Sequence, residues 1–261
     1  MKENQIFQRY EFKYILNKRI SDQIEDEARH FMIYDDFVQK ELNNQYFVRS
    51  LYYENIFSSN FYEKVDGMKI RRKYRLRTYG NSFNPKIPIF FEVKGRNLER
   101  TYKKRTNVKY EYLNYFLDKN QNFKLLDLHP NNEMIRHFIF DSLKKDIKPY
   151  ILIDYLRRPY INKFGLYFRL TFDNNLLSTR ANDLFSDKKY LSWLECKAGY
   201  TILEVKFDRS IPAWFHRVIQ SYNLNRKSIS KFAVGMTTCG VAEETSGWFD
   251  FTLSNNFIFL Y

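Results

Sequence analysis

The stretch KIRRKYRLR, residues 69–77, places a cation at every odd position: Lys69, Arg71, Lys73, Arg75 and Arg77. Extended backbone sends alternate side chains to opposite faces, so a strand here carries all five on one face and leaves Ile70, Arg72, Tyr74 and Leu76 on the other. Cations roughly 7 Å apart along one face repel one another, and such a face persists only against water, carboxylates or a polyanion. The same parity split recurs elsewhere. Arg9, Glu11 and Lys13 alternate with Tyr10, Phe12 and Tyr14; Glu92, Lys94 and Arg96 stand opposite Phe91 and Val93; Arg169 with Asp173, and Glu204, Lys206 and Asp208, repeat the pattern. A solvated outer sheet face would account for any one of these strands. Their recurrence, with one strand of a single sign throughout, points instead to charged faces converging on a polar tunnel.

Working outward, alternation predicts strands at 9–17, 45–54, 69–77, 89–96, 101–108, 150–157, 166–173, 191–197 and 201–208. Helical spacing predicts helices at 18–31 with Ser21 as N-cap, a short one before the Asp66-Gly67 turn, then 111–118, 133–145, and 212–222 opened by Pro212. About eight strands joined mostly by short turns predict an α+β fold: an antiparallel eight-stranded β-barrel tunnel with peripheral helices. No Pro/Gly/Ser-rich linker divides the 261 residues, so one domain is expected, and 44% hydrophobic content with 19% aromatics supplies ample core.

The net charge of +13 predicts an anionic partner. Two distant cysteines, Cys196 and Cys239, support neither a disulfide framework nor a zinc site, and His30, His129, His137 and His216 are scattered without ligand spacing. Neither a signal core nor a run of about 20 apolar residues is present, which gives the expectation of a soluble, cytoplasmic protein. The glycines form no GxxxxGK[ST] or GxGxxG, so phosphate recognition would rest on side-chain cations and not on backbone amides. Glu11, Glu92 and Glu204 share a face with the cations and would repel a nucleic-acid backbone, so no specific nucleic-acid partner is expected. A divalent cation removes that conflict: Mg²⁺ or Mn²⁺ bridges a few carboxylates to phosphate oxygens. The combination points to metal-assisted phosphoryl chemistry.

The succession RYEFKYIL, VRSLYYE, RLRTYG, FEVKGR, YLRRPY, FRLTFD, ILEVKF and SISKF, in this order over residues 7–236, resembles the polyphosphate polymerase domain of the vacuolar transporter chaperone (VTC) complex, a branch of the CYTH-like triphosphate tunnel metalloenzymes. The resemblance implies an antiparallel tunnel that binds ATP and inorganic polyphosphate or pyrophosphate with Mn²⁺ or Mg²⁺. It implies catalytic roles for Arg75, Arg77, Lys94, Arg157 and Arg169, substrate binding by Lys13, Lys104, Tyr155 and Lys231, and metal binding by Glu204; YKKR leaves Lys103 as the alternative to Lys104. Arg9 stands where the hydrolytic branch has the first carboxylate of an ExExK motif, and Ser228, beside Lys227, stands where some members have a lysine. The tail 240–261 matches nothing in the family pattern.

The primary expectation is therefore transfer of the γ-phosphoryl of ATP to the end of a polyphosphate chain with release of ADP. A tripolyphosphatase or nucleoside triphosphatase, with water as acceptor, is the second reading. A non-catalytic polyphosphate- or nucleic-acid-binding module is the third.

Overall fold

Parity is what the fold is built on. In the computed structural model, which describes residues 10–98, 100–165, 167–186 and 191–243, the strands that alternate in sequence assemble into one antiparallel sheet. Its main path contains β1 (Tyr10–Asn17), β3 (Tyr46–Glu54), β4 (Ile70–Thr78), β5 (Ile89–Asn97), β6 (Arg100–Val108), β7 (Lys148–Asn162), β8 (Phe168–Arg180) and β10 (Tyr200–Phe207). The order is β1-β10-β8-β7-β3-β4-β5-β6; β2 (Met32–Tyr34) adds to β7 and β9 (Leu194–Glu195) adds to β8. The expected eight-stranded α+β arrangement is present, with one correction. The sheet is not a closed barrel: its hydrogen-bonded path ends at β1 and β6. Beside the free edge of β1 runs the segment 227–229, with Lys227 N donating to Lys13 O at 2.8 Å and Lys13 Nζ donating to Ile229 O at 3.0 Å.

Apolar residues of the opposite parity are covered from outside. α1 (Lys18–Phe31) and α6 (Ala213–Ser221) pack Ile24, Ala28, Phe215 and Val218 against Tyr14, Leu170, Phe172, Leu203 and Val205. α3 (Leu113–Leu117), α4 (Lys124–Leu128) and α5 (Glu133–Lys145) do the same over β3, β4 and β5, with Phe116, Leu125 and Phe138 against Tyr74, Leu76 and Phe91. Each such aromatic removes on the order of 150–250 Å² from water. Gly95 lets the Tyr102 ring cross β5, since a Cβ there would lie 2.1 Å from that ring. On the inner side, α7 (Lys231–Thr238) packs Phe232, Ala233 and Met236 onto Ile151, Ile153 and Ile202 and fills part of the space the sheet encloses, while α2 (Ser59–Val65) lies beside it.

Several boundaries differ from the sequence reading. α1 is capped by Asn17, whose side chain accepts from Ile20 N, and Ser21 is buried within the helix. β7 and β8 extend well past 157 and 173, whereas the strand expected at 191–197 shrinks to two residues. Arg9, Leu166 and 244–261 lie outside the described residues.

One ion pair faces outward yet is buried. Arg49 on β3 donates through Nε and Nη2 to the Asp154 carboxylate on β7 at 2.9 and 2.7 Å, and through Nη1 to Leu184 O at 3.3 Å. Both residues are under 4% exposed. Removing one partner strands a buried charge, whereas replacing both with apolar groups need not destabilise. Asp154→Ala is expected to lose about 3–5 kcal/mol in denaturant unfolding, and the double variant Arg49→Met/Asp154→Leu to recover most of it. Equal losses in single and double variants would show that the site tolerates no apolar repacking.

Candidate active site

Register sets the inner-face side chains of β4, β5 and β6 in rows across the strands. One row is Lys73, Lys94 and Lys103, the next Arg75, Glu92 and Arg105, the next Arg77, Phe90 and Asn107. Arg71 and Arg96 face one another beyond the lysines. Glu92 accepts from Arg75 Nε at 2.8 Å and Nη2 at 2.5 Å, and its other oxygen lies 2.9 Å from Lys103 Nζ. Burial favours the neutral acid, but Arg75, Arg77 and Lys103 outweigh it and hold Glu92 down at about 2. Arg75 Nη1 donates to Tyr52 Oη at 2.8 Å; Arg77 donates to Ser50 Oγ at 3.0 Å and to Tyr155 Oη at 3.4 Å.

The lysine row contains no carboxylate. Burial, then Lys94 and the more distant Lys64, Arg71 and Lys13, push Lys73 down to about 7, with its ammonium 4.9 Å from the Phe232 ring centre on α7. Lys94 is open to solvent, yet the enclosing walls lower its pKa against the opposing pull of Glu11, with Lys13 and Arg75 adding to the fall. Glu11 and Lys13 belong to β1, so charges of the second wall act on Lys94 of the first.

The second wall is built by β1, β10, β8 and β7. Registers place Lys13 beside Glu204 and Thr171, Glu11 beside Lys206 and Arg169, and Arg157 beside Asp173. Arg157 grips Asp173 at 2.6 and 2.7 Å and reaches Glu204 at 3.3 Å. Lys231, the first residue of α7, lies 2.6 Å from Asp173 and 2.8 Å from Glu204. Lys13 and Lys206 approach Glu204 at 3.8 and 3.5 Å. Burial alone would raise the Glu204 carboxyl; Lys231, Lys13, Arg157 and Lys206 hold it well below the carboxylate range. Burial likewise opposes the Lys231 ammonium, but Asp173 and Glu204 raise its pKa. Arg169 sits at the margin, 3.0 Å from Asp35.

A family model described as the VTC domain matches residues 8–239. The chain belongs to the VTC-domain family. Among solved structures, the PH1819 protein from Pyrococcus horikoshii OT3 is similar at 13% identity and a TM-score of 0.45, covering 87% of this chain and 97% of that one. A putative adenylate cyclase from Bacillus halodurans is similar at 9% identity and a TM-score of 0.45, covering 84% and 92%. No curated protein matches.

The VTC domain places Lys13, Arg75, Arg77, Lys94, Tyr155, Arg157 and Glu204 on the inner face of the sheet, Lys231 at the start of α7 against that face, and Arg169 at its margin beside Asp35. Lys104 is not among them. β6 turns odd residues inward, so Lys104 points to the outer face, 2.8 Å from Glu133 of α5, and Lys103 is the inner lysine. Lys69 precedes β4, so the single-sign face begins at Arg71, and Lys73 stands across from Lys94. Helix α7 was not expected. Its signal in the sequence is Ser230, whose Oγ accepts from Ala233 N, ahead of the apolar KFAVGM.

The donor set constrains any metal. No group of three or more His, Cys, Asp or Glu side chains suited to an ion occurs among the described residues. Glu204 and Glu11 are close enough to interact electrostatically, and the buried Thr171 hydroxyl, cross-strand neighbour of Glu204, has no hydrogen-bond partner. Two carboxylates and a hydroxyl fit a hard divalent ion whose remaining ligands are phosphate oxygens and water, an ion shared with substrate.

The depressed Lys73 gives a signed prediction. At pH 8 the free protein holds Lys73 largely neutral, and a bound polyanion restores its proton, so binding takes up protons and weakens as pH rises above about 7. Calorimetry of tripolyphosphate binding at pH 8 in buffers of differing ionisation enthalpy is expected to show net uptake, reduced in Lys73→Met. Equal uptake in both proteins would place the titrating group elsewhere.

Proposed function

We propose that this VTC domain is a polyphosphate polymerase: it transfers the γ-phosphoryl of ATP to the terminal phosphate of a polyphosphate or pyrophosphate acceptor and releases ADP. The observation that carries this reading is the row Lys73, Lys94 and Lys103, three cations side by side without an intervening carboxylate, flanked by Arg71 with Arg96 and by Arg75 with Glu92. Such an array is stabilised by a multiply charged, extended anion, and family membership favours a triphosphate and its polymer.

In the proposed reaction the acceptor's terminal phosphate oxygen forms a bond to the γ-phosphorus. The bond from that phosphorus to the β–γ bridging oxygen breaks, and its electron pair leaves with ADP. The acceptor oxygen is already anionic, so no general base is needed and the task is alignment and charge neutralisation. Arg75, Arg77, Arg157 and Arg169 offer forked donors to phosphate oxygens, and Lys13, Lys94 and Lys231 act as point charges. Tyr52 and Tyr155 hydroxyls fix the guanidinium planes of Arg75 and Arg77. Mn²⁺ or Mg²⁺, held by Glu204 and Glu11, would neutralise charge on the triphosphate. Lys231 and Arg157 now hold Glu204; they would turn from it to the incoming phosphates as the ion is bound.

Purified protein incubated with ATP and Mn²⁺ is expected to yield polyphosphate on a gel and equimolar ADP per phosphate added. Arg75→Ala is expected to slow this at least tenfold, as loss of a charged transition-state contact costs roughly 2–4 kcal/mol. Glu204→Gln is expected to slow the reaction and to raise the concentration of divalent ion needed for half-maximal rate. Orthophosphate in place of chains would assign water as the acceptor, and anion binding with neither product would leave a binding module.

A further inference from the structure

The cation field ends, along β5 and β6, on a ring. Phe90 follows Lys94 and Glu92 on the inner face of β5, lies across from Arg77, and is half-buried. The Arg105 guanidinium stacks on it, 4.7 Å from the ring centre. Tyr79 meets Phe90 edge-on at 6.1 Å, and Tyr46 meets Tyr79 edge-on at 5.7 Å, so the ring is braced from one side. Arg105 is exposed, and its register partner Glu92 has its two oxygens on Arg75 and Lys103. A solvent-exposed planar cation on a braced aromatic face marks a surface on which another planar group can stack.

We propose that Phe90 and Arg105 form the nucleobase subsite of the triphosphate tunnel, the base taking the place on the Phe90 ring that the exposed Arg105 guanidinium now occupies and the guanidinium moving outward to close over the base's other face. This rests on the triphosphate reading of the inner face. Arg77 shares its row with Phe90 and Arg75 shares its row with Arg105, so phosphates held by these β4 arginines leave the nucleoside beside them on β5 and β6; in the other direction along the strands the next rows carry only Lys73, Lys94, Lys103, Arg71 and Arg96. The subsite selects for a purine or pyrimidine ring by area of overlap and not by hydrogen bonding, because neither side chain presents a buried acceptor that reads a base edge. Broad tolerance among nucleoside triphosphates is the consequence, with larger purines held more tightly than pyrimidines.

Comparing ATP with inorganic tripolyphosphate isolates the base from the phosphates. Phe90→Leu keeps apolar bulk against Tyr79 and removes the aromatic face; Arg105→Ala removes the covering plane. Both variants are expected to weaken ATP binding by about tenfold, the order of one stacked base, while tripolyphosphate affinity stays within about twofold of the parent. Parallel losses for both ligands, or no loss for either, overturn the subsite while leaving the phosphate site standing. A parent protein that binds tripolyphosphate as tightly as ATP also overturns it. A parent protein that binds neither ligand overturns the triphosphate reading itself, and the subsite with it.

Discussion

Everything about this fold depends on how a sheet tolerates like charges on its concave side. Backbone pairing brings Lys73, Lys94 and Lys103 into adjacent register, a juxtaposition that costs energy in the free protein. Two carboxylate anchors offset it. Glu92 ties Arg75 to Lys103 across three strands, and the Asp173–Glu204 pair ties β8 and β10 to Arg157 of β7 and Lys231 of α7. Glu92 reaches only Lys103 at the end of the lysine row, and neither anchor reaches Lys73 or Lys94. Burial first, and the neighbouring cations after it, lower the pKa of Lys73 and Lys94, and on the proposed function a bound polyanion would relieve the part that is due to the cations.

Lys231 joins these anchors to the rest of the molecule. Its helix is seated by Phe232, Ala233 and Met236 on the inner apolar rows of β7 and β10, and its first residue reaches both acids of the second wall. An ammonium so placed would be costly alone; Asp173 and Glu204 reverse that cost. The apolar contacts of one helix thus hold a cation where the sheet has gathered acids, and the segment leading into that helix runs along the free edge of β1.

Much of this was legible because strand parity is a two-state code. Once 69–77 is read as a strand, the faces of Arg75 and Arg77 follow, and the same holds for Glu92 with Lys94 and for Glu204 with Lys206. What parity cannot supply is register. Whether Lys103 or Lys104 enters the site is a one-residue question, and it is answered by the pairing of Lys94 with Lys103, a long-range fact. Closure was illegible for a similar reason: a barrel and a strongly curled open sheet share one alternation pattern, and only the pairing path separates them. α7 was hidden by its shortness, since eight residues are too few for periodicity to stand out, although the Ser230 cap was readable.

Recognition by side chains, in place of backbone amides at a glycine-rich turn, has consequences for how such a site behaves. A backbone nest presents fixed dipoles that neither titrate nor move. Here the cations are side chains, some held by carboxylates, as Arg75 is by Glu92 and Lys231 by Glu204, and others, Lys73 and Lys94, in a row without one; on the proposed function phosphates would displace the first kind and meet the second directly. The proposed ligand would therefore be selected by charge density, because a single phosphate offers too little to displace several ion pairs at once, whereas a chain would engage successive rows together. Glu204, freed in this way, would be available to a divalent ion as the phosphates arrive. On that reading substrate and metal would be coupled through one exchange of partners, because acids are placed among the cations.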